Sequence, residues 1–427
     1  MTTIKDALRD FNPWWTGPYH LDFKHRDIYT HLQKFLPLPQ MLAFTGLRRV
    51  GKTTLLLKLA ADKITQGLDP KHILYFSFDE FKTTNLRTVL QEYESLTEND
   101  LKEGQYLLLL DEIQKLAAWE EQLKTLYDLY GKRVKIIISG SESLFIKKKS
   151  KETLAGRLFE FDITPLTFTE FLTFKDTTFS HPQLHEKELL KLFHEFTFTL
   201  GFPELVGIKD KEIIKKYVDE GIVKKAVYQD ISRLFDIKDI TVIESLLTIL
   251  MEDPGQLLEL TELAKVLHIT RQTLATYLSY LEAAFLLRKI YNFSRNKRKS
   301  ERKLKKYYPT IISPHLLFKD DLISQSKVFE WLIVTQAQAE FFWRDPYKHE
   351  VDVVLASNNT LLPLEIKYGK IDVHGLLAFM NTFHVNKGIV VSYQTTEKRT
   401  YATKTITILP AYRYLLTPTS TSFKENI

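Results

Sequence analysis

The chain contains no cysteine, so it forms no disulfide and offers no thiolate to zinc, to an iron–sulfur cluster or to nucleophilic catalysis. It also lacks any apolar run approaching the roughly 20 residues that cross a bilayer, because runs such as YLLLLDE have only the length of a strand. The N-terminus, MTTIKDALRDFNPWW, lacks the basic and then apolar pattern of a secretory signal. These absences predict a cytoplasmic protein without a membrane partner.

Positive charge is concentrated in one segment of this chain of 427 residues, which is 44% hydrophobic and long enough for two to four domains. Residues 295–306, RNKRKSERKLKK, hold eight Lys or Arg against one Glu, a net +7, whereas the whole chain carries +6. Such a block contacts a polyanion or forms a solvated linker. If it lies along a DNA backbone, affinity falls steeply with salt.

Strand-like and helix-like patterns alternate from Met41 to about Leu166. The apolar runs are MLAFTG, HILYFSF, YLLLLDE, VKIIISGS and LFEFDI, and helix-like segments such as KTTLLLKLAADKI separate them. This alternation is typical of βα units. It predicts an α/β fold with a parallel, doubly wound sheet.

The segment FTGLRRVGKTTLL has the spacing G-x-x-x-x-G-K-[ST] between an apolar strand and a helix. Gly46 and Gly51 let the backbone turn its amides toward phosphate oxygens. Lys52 is expected to reach the β- and γ-phosphates, and the Thr53 hydroxyl to hold Mg²⁺. With Thr54 beside them, these residues predict an ATP site.

An acidic pair, Asp111 and Glu112, ends a strand of four leucines, where carboxylates are costly unless they have a role. Asp111 is predicted to contact Mg²⁺, and Glu112 to orient or deprotonate the attacking water. Ser139 or Ser141 senses the γ-phosphate or belongs to a plain turn. Arg157 is an arginine finger, or else a surface arginine or a member of a salt bridge.

The stretch ELAKVLHITRQTLATYLSYLEAAFLL predicts a helix pair that resembles a winged helix-turn-helix. Its second helix is expected at Glu262–Leu267 and its recognition helix at Arg271–Glu282. Arg271, Gln272 and Thr276 would point outward toward DNA bases or phosphates. A protein-binding role for this module is the alternative.

Near the C-terminus, EVDVVLASNNTLLPLEIKYGK predicts two strands joined by a polar turn. Alternate strand residues share a face, so Glu365 and Lys367 project together and a hairpin brings Asp352 alongside. Two carboxylates bind Mg²⁺ or Mn²⁺, which polarises a phosphodiester while the lysine steadies the attacking water. An ordinary amphipathic hairpin is the alternative.

These motifs occur in order over Met41–Val391, and with them the chain resembles a family of archaeal and bacterial ATPases of the AAA superfamily. The matching stretches are GLRRVGKTT, LLLLDEIQKLAAWEEQLKTLYD, IIISGSESL, LAGRLFEFDITPLTFTEFL, GFPELV and EVDVVL…LPLEIKYGK. The resemblance implies a C-terminal restriction-endonuclease-like domain whose core is D…E-x-K, with Glu330 as a further metal ligand. It also implies that Gly201–Pro203 lie near the nucleotide. Independently of the resemblance, Arg26 is expected either to approach the adenine or to lie on the surface.

The expected function is an ATP-dependent ATPase acting on DNA, with a Mg²⁺-dependent nuclease-like domain. A nucleotide-switched regulator, or a branch-migrating or translocating motor that only grips DNA, remains open. If the chain assembles into a homo-oligomer, Arg157 would act on the nucleotide of a neighbouring subunit. The predicted divisions are an N-terminal segment 1–40, ATPase core 41–205, helical linker 206–250, winged helix 251–294, basic hinge 295–306 and nuclease-like domain 307–427.

Overall fold

A computed structural model describes residues 3–417, apart from residues 82, 142–152, 233–234, 236, 238, 297, 299, 301–303 and 358–359. The chain forms two compact units, one up to Pro165 and one from Leu166 onward, and the short stretch Ala283–Phe285 groups with the first.

A parallel five-stranded sheet forms the centre of the first unit, in the order β2–β3–β4–β1–β5. Its strands are β1 (Met41–Thr45), β2 (Ile73–Ser77), β3 (Tyr106–Asp111), β4 (Val134–Gly140) and β5 (Leu158–Asp162). β1 and β3 are buried along their whole length, as expected for parallel strands covered on both faces. All five apolar runs became strands, so the predicted α/β sheet is confirmed.

Helices accompany this sheet, and two of them begin at side-chain caps. The helices of the first unit are Ile4–Phe11, Asp27–Gln33, Lys52–Thr65, Leu86–Thr97 and Trp119–Tyr130, with 3₁₀ turns at Pro13–Trp15, Pro70–His72, Ile113–Lys115 and Gly131–Arg133. The Thr3 side chain and Asp6 form a capping box, and the Asn85 side chain accepts from the Thr88 amide.

The N-terminal segment covers the edge strand β2. The Tyr75 amide donates to Asn12 Oδ1 at 2.7 Å, and Asn12 Nδ2 donates to the Tyr75 carbonyl at 2.9 Å. The indole nitrogens of Trp14 and Trp15 both donate to the Ile73 carbonyl. Residues 3–15 therefore satisfy backbone groups that an edge strand otherwise leaves open.

The second unit combines helices with two further sheets. Its α-helices are Phe168–Phe174, Glu186–Thr199, Lys211–Lys216, Ile240–Glu252, Leu260–Val266, Arg271–Ala283, Pro314–Leu317, Leu322–Gln336, His374–Phe383 and Ala411–Leu416. Tyr217–Val223 and Ala226–Ile231 are π-helical, and Pro182–Leu184 and Pro203–Leu205 are 3₁₀ turns.

The first of these sheets has the order β10–β9–β7–β8–β6. Its strands are β6 (Gln256–Leu257), β7 (Leu287–Asn292), β8 (Lys305–Pro309), β9 (Phe341–Arg344) and β10 (Glu350–Val351). β7 and β8 are antiparallel neighbours, with Tyr291 opposite Lys305. In chain order, the basic block 295–306 therefore lies between these two paired strands and at the start of β8.

The other sheet has the order β11–β12–β13–β15–β14. Its strands are β11 (Val353–Ser357), β12 (Thr360–Lys367), β13 (Lys387–Ser392), β14 (Glu397–Tyr401) and β15 (Lys404–Pro410). β11 and β12 form the predicted hairpin, with Val353 opposite Leu364. The predicted strand EVDVVLAS is interrupted at Asp352, which lies between β10 and β11.

Candidate functional site

The phosphate loop occupies residues 46–51, between the end of β1 and the helix that begins at Lys52. Gly46 and Gly51 have φ values of 143° and 98°, which side chains with a Cβ rarely adopt. A Cβ on Gly46 would also lie 2.2 Å from the Ile163 carbonyl oxygen. The loop therefore depends on these glycines, and it presents the helix N-terminus where an anion is favoured.

Lys52 is buried, and its ammonium group lies over the loop itself. Nζ donates to the carbonyls of Gly46 and Leu47, at 2.9 Å each. These neutral acceptors are weaker partners than phosphate oxygens. Phosphate oxygens of a bound triphosphate can therefore replace these two carbonyls as acceptors for Lys52 Nζ.

Asp111, at the end of β3, receives three hydroxyl hydrogen bonds. Thr53 Oγ1 donates to Oδ2 at 2.6 Å and Tyr75 donates to the same oxygen at 2.9 Å. The Ser139 hydroxyl donates to Oδ1. Because the Thr53 hydroxyl and the carboxylate are already adjacent, this oxygen donor set fits Mg²⁺ beside a nucleotide.

Glu112 has a left-handed backbone, with φ of 52°, and its carboxylate is held by neighbours. Gln114 Nε2 donates to Glu112 Oε2 at 2.6 Å and lies 3.3 Å from Ser141 Oγ. Burial raises the pKa of Glu112, and the Lys52 charge opposes that rise. The structure thus brings both sequence-predicted serines to the acidic pair, together with Gln114, which sequence analysis missed.

Arg26 is buried and binds the phosphate loop rather than lying on the surface. Its guanidinium donates to the carbonyls of Val50 and Thr164, at 2.9 and 2.7 Å. Thr54 is exposed on the helix that follows the loop.

Arg157 and Pro203 are the remaining residues predicted for the nucleotide site. Arg157 Nε is 3.0 Å from Asp128 Oδ1, and the guanidinium lies 5.9 Å from the Tyr127 ring centre. Pro203 begins the 3₁₀ turn Pro203–Leu205 in the second unit.

A second group of charged side chains, the carboxylate centre, lies within the second unit. Its acids are Glu330 on the helix Leu322–Gln336, Glu350 in β10, Asp352 after β10 and Glu365 in β12; its lysines are Lys306 in β8 and Lys367 in β12. Sequence analysis predicted four of these six positions and missed Glu350 and the role of Lys306.

Lys306 lies among three acids of the carboxylate centre. Nζ is 2.6 Å from Glu350 Oε1, 3.7 Å from Glu330 Oε1 and 4.0 Å from Asp352 Oδ1, and the side chain is only 7% exposed. The surrounding carboxylates raise the pKa of Lys306 despite its burial. Tyr308, two residues along β8, donates its hydroxyl to Glu330 Oε1 at 2.7 Å.

The predicted D…E-x-K residues do come together, but other groups already bind them. Asp352 Oδ2 accepts from the Ile366 amide at 2.8 Å, and Glu365 Oε1 is 2.7 Å from Lys367 Nζ. Glu365 Oε2 is buried without a hydrogen-bond partner. Burial, with Glu330 next, raises the pKa of Asp352 to about 6, and burial raises that of Glu365 well above its usual value.

This arrangement does not fit a divalent metal ion. Within the described ranges, no group of three or more His, Asp or Glu side chains is arranged to hold a metal. Lys306 supplies a positive charge in contact with three carboxylates, and a second cation among the same oxygens would be repelled. The Mg²⁺ or Mn²⁺ expected at Glu330, Asp352 and Glu365 is therefore unsupported by the geometry.

The predicted helix pair and the basic segment are adjacent in the chain. The helices are Leu260–Val266 and Arg271–Ala283, followed by the β7–β8 hairpin. Arg271 and Gln272 are exposed, and the Thr276 hydroxyl donates to the Gln272 carbonyl. None of the helices in the described part of the chain is long and apolar enough to cross a membrane.

Family comparisons divide the chain into three parts. Residues 39–172 match the AAA domain family. Residues 190–310 and 324–414 match two domains of unknown function, DUF8612 and DUF4143.

Similar whole proteins are themselves uncharacterized. One from Haemophilus influenzae is 29% identical over 252 residues, which cover 57% of this chain and 60% of that relative. One from Methanocaldococcus jannaschii is 27% identical over 387 residues, which cover 82% of this chain and 80% of that relative. A second from the same organism is 31% identical over 258 residues, which cover 58% of this chain and 56% of that relative. The first and last of these relatives are thus matched over less than two thirds of their length.

Two solved structures show remote similarity. The Aeropyrum pernix ORC2 protein in its ADP form has a TM-score of 0.34 and 14% identity, over 74% of this chain and 98% of that one. AMPPCP-bound DnaA from Aquifex aeolicus has a TM-score of 0.29 and 17% identity, over 62% and 89%.

Proposed function

We propose that this chain, an AAA-superfamily ATPase by residues 39–172, uses ATP binding and hydrolysis to control its engagement of DNA. The observation that carries the ATPase part is the phosphate-loop geometry. Lys52 lies over the loop, the Thr53 hydroxyl is bonded to Asp111, and Glu112 is held beside them.

Each residue of this site has a defined role in hydrolysis. Bound Mg²⁺ would supply charge neutralisation of the β- and γ-phosphates, held by Thr53 and Asp111. Lys52 exchanges its two carbonyl partners for phosphate oxygens. Glu112 accepts a proton from the attacking water at Oε1 while Gln114 fixes Oε2.

DNA binding is assigned to the β7–β8 connection and the preceding helix pair. The chain order of two helices and then a hairpin is that of a winged helix, and here the hairpin connection carries most of the basic block. Few aromatic or base-reading side chains accompany it, so the contacts are to phosphates. A homo-oligomer that places Arg157 at a neighbouring nucleotide belongs to the same proposal.

For the C-terminal part, the geometry favours a domain that grips DNA or a partner without cutting. Metal-dependent cleavage at Asp352, Glu365 and Lys367 requires a cation site, whereas Lys306 already pairs with the acids of that centre. Cleavage therefore stays the second candidate. Its one favourable observation is the buried, unpartnered Oε2 of Glu365.

The test is ATP turnover and DNA affinity in Lys52→Ala, with Lys63→Ala on the same helix as the matched control. Lys63 bonds Gln66 at the far end of that helix, so its loss is expected to leave turnover unchanged. Lys52→Ala is expected to abolish turnover and to make DNA affinity indifferent to ATP. If DNA binding responds to ATP equally in both variants, the proposed coupling is wrong.

A cleavage assay with linear, single-stranded, flapped and four-way DNA decides the C-terminal role. It is run with Mg²⁺ or Mn²⁺, with and without ATP, on wild type and Lys367→Ala. No cutting by either protein is expected. Cutting by the wild type that the variant loses would establish the nuclease instead.

A further inference from the structure

The second unit contains one buried lysine surrounded by acids from three different elements. Lys306 enters from β8, Glu350 from β10, Glu330 from a helix and Asp352 from the break before β11. We infer that Lys306 is the resident cation of the carboxylate centre, so that the centre takes no divalent metal ion while this lysine is present.

The distances favour an ammonium ion over a metal. Lys306 Nζ has one close oxygen at 2.6 Å and two at 3.7 and 4.0 Å. A magnesium ion instead draws its ligands to about 2.0–2.1 Å in near-octahedral geometry. Glu350 Oε1 is within hydrogen-bond distance of the ammonium group, and Glu330 and Asp352 form longer ion pairs with it.

The lysine is held in place by the strand that carries it. Lys306 lies opposite Ile290 of β7 and opposite Leu257 of β6, so its backbone is paired on both sides. Its ammonium group also lies 5.5 Å from the Phe342 ring centre. A buried charge is retained only when it is paired, and here the three acids supply the pairing.

Removal of this cation would leave a set of oxygen ligands. Glu330 and Asp352 would lose their nearest lysine, and Glu350 would keep only Arg344, at 3.1 Å from its other oxygen. Glu365 Oε2 has no hydrogen-bond partner even with Lys306 present. Clustered carboxylate oxygens are the ligands that Mg²⁺ and Mn²⁺ select. The inference therefore predicts that a neutral residue at position 306 creates a metal site.

The experiment measures Mn²⁺ binding by calorimetry and electron paramagnetic resonance, without nucleotide. All proteins carry Asp111→Asn, which removes the metal ligand of the ATP site. In that background we expect no Mn²⁺ at the carboxylate centre of the parent. In Lys306→Met we expect one Mn²⁺ per chain, with an affinity at least about tenfold above any residual Mn²⁺ binding by the parent.

Two controls locate the ion. Lys398→Met removes an exposed strand lysine of the same unit, and it is expected to bind no additional Mn²⁺. Adding Glu365→Gln to Lys306→Met is expected to abolish the new binding. Circular dichroism verifies that each variant is folded. If repulsion between the acids unfolds Lys306→Met, the double variant Lys306→Met/Glu350→Gln is used in its place.

Two results would overturn the inference. One is a parent protein that already binds a Mn²⁺ that Glu365→Gln removes. The other is a folded position-306 variant that binds none. Neither result depends on ATP turnover or DNA affinity, so the inference and the proposed function can fail separately.

Discussion

Two buried lysines of this chain differ in what surrounds them. Lys52 donates to neutral carbonyls of its own loop, whereas Lys306 contacts carboxylates from a helix, a strand and the break after that strand. Both lysines donate from an ionised ammonium group, but only Lys306 meets acceptors that themselves carry a charge. Lys52 therefore lies where an anionic ligand of the phosphate loop would meet it, and Lys306 is held by its carboxylate neighbours.

Gln114 is expected to govern hydrolysis by positioning Glu112. Gln114→Ala removes the 2.6 Å bond to Glu112 Oε2, so kcat for ATP should fall about tenfold while KM changes little. Gln122→Ala, whose side chain instead accepts from the Leu86 amide, is the matched control. Steady-state ATPase assays check this, and equal kcat values in the two variants would contradict it.

Asp352 is expected to make stability fall with rising pH. Because its pKa is raised to about 6, chiefly by burial and then by Glu330, the folded chain binds more protons than the unfolded chain between about pH 4 and 6. The contribution of Asp352 to stability is present below that window and is lost through it. The free energy of unfolding of Asp352→Asn, measured in urea, should therefore increase relative to that of the wild type as pH rises from 4 to 6.

Asp372→Asn is the control for this titration. Hydrogen bonds from His374 lower the pKa of Asp372, so its titration lies below the window and no such trend is expected. If Asp352→Asn instead loses stability relative to the wild type as pH rises, the pKa of Asp352 is not raised.

At the scale of elements, the β7–β8 connection is expected to carry the salt dependence of DNA binding. Changing Arg295, Lys297, Arg298 and Lys299 to Gln should lower the slope of log affinity against log salt by up to about 0.9 per lost phosphate contact. Fluorescence anisotropy at several salt concentrations measures that slope.

A second basic stretch supplies the matched control for charge alone. Lys209, Lys211, Lys215 and Lys216, within and just before the helix Lys211–Lys216, are changed to Gln in the same way. If this variant loses as much slope as the first, DNA is attracted by net charge and not by the β7–β8 connection.

The packing of the helix His374–Phe383 against β10 depends on a glycine. A Cβ on Gly375 would lie 2.0 Å from the Glu350 carbonyl oxygen, so Gly375→Ala should destabilise the second unit by about 2 kcal/mol or more. Gly369→Ala is the control, since its Cβ would meet nothing within 4 Å. Thermal unfolding compares the two, and equal midpoints would contradict the close contact.

At the scale of the whole molecule, assembly is testable through Arg157. If Arg157 completes the site of a neighbouring subunit, Arg157→Ala should lower kcat by on the order of a thousandfold, and so should Lys52→Ala. Mixing the two inactive variants should restore turnover, because some sites then combine an intact Lys52 with an intact Arg157. ATPase activity of the mixture checks this; an inactive mixture would exclude action between subunits.

The sequence by itself determined the phosphate loop and the parallel sheet that carries it. The phosphate loop, the acidic pair after β3 and five apolar strands could be identified because each signal lies within a short continuous stretch. Glycines at a required φ and apolar runs of strand length follow from local backbone chemistry. The D…E-x-K spacing likewise predicted that Asp352 and Glu365 come together.

Only the tertiary structure decided what occupies the carboxylate centre. Lys306 lies at the end of the basic block, whose composition predicts solvent exposure, and no local sequence signal distinguishes Lys306 from Lys305. Its role follows from the pairing of β7 with β8, which places the Lys306 side chain beside Glu350 and Glu330. Charge balance in a buried site depends on residues distant in the chain, and a linear motif does not contain them.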